Sequence, residues 1–176
     1  SLKDNWGGGS EDITAKSVEI PVDFDSLHEV NPEIYAWIYI PGTDISYPVL
    51  QHDGDNGYYT RRAEDGNDFS DVNVFDEHRY IYIYTPDKML VYESFAAYPF
   101  SHRHLLLNYD FTDPAQFDAF FDDVMYKPGL SSNFMDNVEL DGAKDKILTL
   151  STCLRGDNQQ RYLVQGRLIS EIPAKK

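Results

Sequence analysis

Residues 80–84 alternate most regularly: Tyr80, Tyr82 and Tyr84 fall on one face of an extended chain, and Ile81 and Ile83 on the other. Thr85-Pro86-Asp87-Lys88 fits a turn with Pro at its second position, so 89–97 is predicted to return as the partner strand. The same signature predicts strands over 34–40 and 45–50, joined by the turn Pro41-Gly42-Thr43-Asp44. Pro48 cannot donate to a ladder and places the second of these at a sheet edge. A strand-like piece covers 18–22, and Asp25 or Ser26 is a candidate N-cap for a short helix over 27–30. The region 51–70 is polar and loop-like.

The period changes at 114–125. Phe117, Phe120, Phe121, Val124 and Met125 recur at helical spacing, behind a Thr112 or Asp113 cap and Pro114 in the first turn. Residues 147–153 form a β-rich run that ends at Cys153, and 161–169 form a last strand. Strands dominate, which predicts a β-barrel or sandwich with peripheral helices. Gly7-Gly8-Gly9-Ser10 lies in an opening stretch without apolar period, so 1–17 reads as a flexible segment or cloning remnant ahead of one domain over 18–176.

Composition narrows the function. The 176 residues carry 15 Lys plus Arg against 30 Asp plus Glu, a formal charge of −15. Such a surface repels phosphate backbones and argues against nucleic-acid binding. No apolar run approaches the ~20 residues that span a bilayer. A single Cys excludes an intramolecular disulfide and leaves either a buried apolar residue or a functional thiol.

Position lowers the weight of the buried reading and keeps both open. Cys153 ends one predicted strand, a polar loop follows, and Arg161 opens the next strand. If these strands are neighbours, thiol and guanidinium share one end of the sheet, where the cation favours thiolate and binds a developing oxyanion. Other motifs are weaker. The Cys-to-Arg spacing does not fit a Cys-x5-Arg phosphatase loop, and Arg155-Gly156-Asp157 is a tripeptide that arises by chance. Asp53-Gly54-Asp55-Asn56-Gly57 starts like an EF-hand loop, but Gly57 and Tyr58 stand where an oxygen ligand and a Gly are needed. His102 and His104 read as part of a solvated connection.

Several of these segments together resemble the class B sortases, cysteine transpeptidases of the Gram-positive cell surface. They are Asn31-Pro32-Glu33-Ile34-Tyr35-Ala36-Trp37-Ile38-Tyr39-Ile40-Pro41-Gly42-Thr43, Ile45-Ser46-Tyr47-Pro48-Val49-Leu50-Gln51, Asp55-Asn56-Gly57-Tyr58-Tyr59 and Tyr80-Ile81-Tyr82-Ile83-Tyr84-Thr85-Pro86. The most specific is Thr149-Leu150-Ser151-Thr152-Cys153 with Arg161-Tyr162-Leu163-Val164 downstream. The resemblance covers roughly 18–169 and implies a mainly β, sortase-type closed barrel with an N-terminal helical element and peripheral helices.

It further implies that Cys153 is the nucleophile and Arg161 the residue that orients substrate and stabilises the tetrahedral intermediate. The amide of Leu154 is a second oxyanion donor, and Asn56 and Ser151 line the substrate groove. No metal or organic cofactor is required. The implied partners are surface proteins bearing a C-terminal sorting motif and a peptidoglycan cross-bridge amine, at the outer face of a membrane held by an N-terminal anchor outside this chain. One departure stands out. The family carries its catalytic His in a Tyr-Gly-His-Asn-like run, whereas Val74 directly precedes Phe75 here, and His78, His102 and His104 do not match that motif. The resemblance therefore places the missing His segment, with a central strand, between Val74 and Phe75. A true absence of that segment predicts a catalytically inactive, sortase-like peptide-binding module. Two further readings of the chain are an unrelated Cys peptidase and a structural domain with a buried Cys153.

Overall fold

A computed structural model describes residues 13–51, 69–101, 109–110, 112–125, 132–154 and 157–176; at Ser101, Cys153, Leu154 and 157–159 it describes the backbone alone. The elements in chain order are α1 (Phe24–Val30), β1 (Ile34–Tyr39), β2 (Ser46–Leu50), α2 (Val72–Glu77), β3 (Tyr80–Tyr84), β4 (Lys88–Ser101), α3 (Pro114–Met125), β5 (Asn133–Phe134), β6 (Ile147–Leu154) and β7 (Asp157–Pro173). The strands form one seven-stranded sheet in the order β2-β1-β3-β4-β7-β6, with β5 on β4. Every strand pairing is antiparallel.

The sheet curls because its two flanks bury side chains on the same cluster. Tyr47 and Val49 of β2 and Leu148 and Leu150 of β6 all pack against Ile38, Ile40, Ile81, Tyr162 and Val164. The β3–β4 hairpin follows the alternation read from the sequence. Ile81 and Ile83 face this inner cluster, while Tyr82 and Tyr84 face a second one with Phe24, Met89 and Ile172. Both faces are buried, as a sheet covered on two sides requires. Ile13 and Ala15 also pack on the second cluster, and the Ser170 hydroxyl donates to the Ile13 carbonyl at 3.0 Å. A third cluster lies under α3, where Phe120 and Val124 meet Phe95, Tyr98 and Leu163.

Several elements differ from the sequence reading. Residues 18–22 supply a single bridge, Val18 to Ala174, and otherwise reach the core through Ile20 and Val22 without forming a strand. The cap of α1 is Asp23, ahead of the expected Asp25 or Ser26, because its carboxylate accepts both the Ser26 amide at 3.1 Å and the Ser26 hydroxyl at 2.7 Å. These bonds hold the Asp23 carboxyl below its usual pKa. A carboxyl with a depressed folded pKa stabilises the fold above its unfolded pKa, and that contribution disappears as pH falls through the folded value. Asp23→Ala is expected to lower the thermal midpoint at pH 7, and Asp23→Asn to retain most of it. The gap between Asp23 and Asp23→Ala should close on acidification, which differential scanning calorimetry at pH 7 and pH 2.5 would measure.

The seam between Val74 and Phe75 falls in a helix in this chain. Both residues lie inside α2, where the Phe75 amide donates to the Asp71 carbonyl at 3.0 Å and the His78 amide to the Val74 carbonyl at 3.0 Å. Asp71 caps this helix by accepting the Asn73 amide at 2.8 Å. The expected insertion point is therefore an unbroken helical turn. In the described sheet β1 pairs with β2 on one side and β3 on the other. The flanks of the sheet among the described residues are β2 and β6, so any added strand would join there.

Candidate active site

The last two strands carry the candidate chemistry. They pair in register from Ile147↔Arg167 through Leu150↔Val164 and Thr152↔Tyr162 to Cys153↔Arg161. Cys153 and Arg161 are thus directly opposed, as their strand-end positions predicted. Directly opposed residues of an antiparallel pair share a face, with Cβ atoms about 4.5–5.5 Å apart. The register shifts between Cys153 and Leu154, where Leu154 pairs with Asp157. Such irregularities at a sheet end re-aim groups and terminate pairing. Here the shift separates the candidate nucleophile from the candidate oxyanion amide.

Alternation assigns the face. Thr152 and Tyr162 are both buried, and Tyr162 belongs to the inner cluster. Cys153, Arg161 and Ser151 therefore lie on the outer face, with Leu163, which packs under α3. Ser151 is exposed and Arg161 half-buried. On the neighbouring strand Arg161 faces Phe100, whose ring meets Tyr98 edge-on at 6.3 Å. The site thus sits at one end of a sheet face whose middle is covered by α3.

Two buried polar arrangements flank this pair, and neither was read from the sequence. On the inner side the Tyr162 hydroxyl donates to the Phe69 carbonyl at 3.0 Å, which also accepts the Asn133 side-chain amide at 2.8 Å. Burial pushes the Tyr162 phenol far above its usual pKa, so it stays protonated and remains a donor. On the outer side the Thr149 hydroxyl donates to Gln165 Oε1 at 2.6 Å, and Gln165 Nε2 donates to the Tyr98 hydroxyl at 3.2 Å. Polar residues inside an alternating strand look like solvent-facing positions, and only the sheet order shows that they meet.

The two histidines among the described residues, His28 and His78, do not gather at the pair. His28 Nε2 donates to the Ile34 carbonyl at 2.7 Å. The His78 ring packs on the α-carbon of Gly42, in the turn after β1. The residue after His78, Arg79, accepts the Ser94 amide on β4, whereas Arg161 pairs with Phe100, six residues along that strand. Six residues of extended chain span roughly 20 Å. His52, His102, His104, Asn56 and the Asp53-to-Glu64 loop lie outside the described residues, as do Arg155 and Gly156. Among the described residues no group of three or more His, Cys, Asp or Glu could hold a metal ion, and no helix is long and apolar enough to cross a membrane.

No family model matches the chain. It is 28% identical over 190 residues to sortase B of Listeria monocytogenes, covering 87% of this chain and 76% of that protein. It is 24% identical over 186 residues to sortase B of Staphylococcus aureus, covering 83% and 74%. Among solved structures, Clostridium perfringens sortase B superposes with a TM-score of 0.70 at 21% identity, over 84% of this chain and all of that one. A sortase B complexed with triglycine gives 0.68 at 20% identity over 88% of each chain. The Staphylococcus aureus sortase B–substrate complex gives 0.69 at 20% over 88% and 87%. The curled, mainly β architecture is thus the sortase fold. By sequence relationship and fold together, the chain is similar to the class B sortases. That kinship supports a sortase-type transpeptidase role in general terms.

Proposed function

We propose that this chain is a cysteine transpeptidase that attaches surface proteins to the cell wall of a Gram-positive bacterium. The observation that carries the reading is the direct cross-strand pairing of Cys153 with Arg161, at the end of the Thr-Leu-Ser-Thr-Cys strand, on a sortase fold. In this reading the Cys153 thiolate attacks the Thr carbonyl of a C-terminal sorting motif, broadly Asn-Pro-x-Thr-Asn/Gly. The tetrahedral oxyanion is held by Arg161 and the Leu154 amide. The Thr C–N bond breaks as the departing nitrogen takes a proton from water, in the place of the His that the family carries, the C-terminal fragment leaves as an amine, and a thioester remains on Cys153. A cross-bridge amine then attacks the thioester, forms a new amide and returns the thiolate. Ser151, exposed two residues before Cys153, contacts the sorting peptide, and Asn56 is assigned to the same groove. The sortase B structures with a substrate and with triglycine support a peptide donor and an amine acceptor here as well.

The test is a fluorescence-quenched sorting peptide incubated with the protein, with and without triglycine, followed by mass spectrometry. Transpeptidation predicts a triglycine-ligated product and release that rises with amine. Hydrolysis alone, independent of amine, would point to a peptidase instead. Peptide binding without any thioacyl adduct on Cys153 would identify an inactive binding module.

A further inference from the structure

The buried polar bridge under α3 has no part in the reaction as proposed, yet it shares a ladder with the site. Three alternate rungs of β6 and β7 lie on the outer face: Thr149↔Gln165, Ser151↔Leu163 and Cys153↔Arg161. The first is polar and closed. Gln165 is fully buried, accepts Thr149 through Oε1 at 2.6 Å, and donates through Nε2 to Tyr98 of β4 at 3.2 Å. One side chain therefore links the three strands that carry Cys153, Arg161 and the Phe100 opposite Arg161.

Apolar packing alone fixes this register weakly. Ile147 of β6 packs on the outer cluster and Leu148 and Leu150 on the inner one, so both faces of the strand are apolar. A shift by two residues would keep every face assignment. It would also leave the Gln165 amide buried without Thr149, and an unpaired buried amide is strongly disfavoured. The bridge thus penalises the misregister that would carry Cys153 away from Arg161.

We propose that Gln165, with Thr149 and Tyr98, is a positioning residue that holds Cys153 opposite Arg161. The inference rests on the transpeptidase reading for its catalytic meaning, but its test does not. Cys153 is the sole thiol, so the alkylation rate of native protein with iodoacetamide reports its surroundings whatever reaction the site performs. Thr149→Val and Gln165→Leu are expected to change that rate at pH 7 by about fivefold or more, in the direction of Arg161→Ala. Thr149→Ser, which restores the hydroxyl, should stay within about twofold of wild type. Wild-type alkylation rates in both disruptive variants would overturn the inference, provided circular dichroism shows both folded. If either unfolds, Tyr98→Phe supplies the same comparison. On a sorting peptide, Thr149→Val should lower kcat about tenfold with KM within about twofold. A wild-type protein with no turnover would defeat the transpeptidase reading, while the alkylation series would still decide the inference.

Discussion

Cys153→Ala should reduce cleavage of a sorting peptide to background, a loss on the order of 10⁴-fold or more. The expectation is this large because the sequence contains no second thiol. An alanine leaves peptide binding and oxyanion donors in place but removes the atom that forms the thioester. Arg161→Lys is the graded companion. Lysine keeps the positive charge at the rung opposite Cys153. It loses the planar fork that can hold substrate and oxyanion together. Removal of one oxyanion donor typically costs about 10²–10³ in kcat, or roughly 3–4 kcal/mol of transition-state stabilisation. Steady-state kinetics on the quenched peptide would separate the two, with circular dichroism confirming the fold. Turnover retained in Cys153→Ala would place the chemistry elsewhere, and near-normal turnover in Arg161→Lys would reduce Arg161 to a charge.

What the sequence disclosed follows from how local each signal is. The β3–β4 hairpin was legible because a strict period of two meets a Thr-Pro-Asp-Lys turn, and α3 because its Phe positions recur at helical spacing. The Cys153–Arg161 pairing was legible because a thiol near one strand end and an Arg near the beginning of the next are brought together by a hairpin that closes between them, although β7 begins at Asp157, four residues before the expected Arg161. Helix α2 was not. Its six residues place only Phe75 in the core, and Val72-Asn73-Val74 alternates as a strand would. The extension of β7 to Pro173 was hidden for a different reason. Ser170 and Glu171 look like a strand's end, but they pair with Val91 and Leu90 of β4. The Gln165 bridge depends on three strands being neighbours, which no single segment records.

The turn at Gly42 supplies the second large effect. Its φ is +77°, a left-handed conformation that a Cβ makes costly by about 1–2 kcal/mol. The same Cβ would overlap three ring atoms of His78, so the ring must also be displaced. Overpacking of that kind typically costs about 1–3 kcal/mol. Together these give Gly42→Ala an expected destabilisation of about 2–5 kcal/mol in urea unfolding. The two contributions separate in a double-mutant cycle. His78→Ala removes the obstructing ring but leaves the backbone strain, so Gly42→Ala should cost about 1–2 kcal/mol in the His78→Ala background. Equal costs in both backgrounds would show that the ring yields freely and that backbone strain alone is felt. The cycle also bears on catalysis, because it treats His78 as the wall of a turn and not as a general acid. His78→Ala should therefore lower stability yet leave kcat for the sorting peptide within about twofold. A collapse of kcat in that variant, with the fold intact, would mean that His78 reaches the Cys153–Arg161 pair after all.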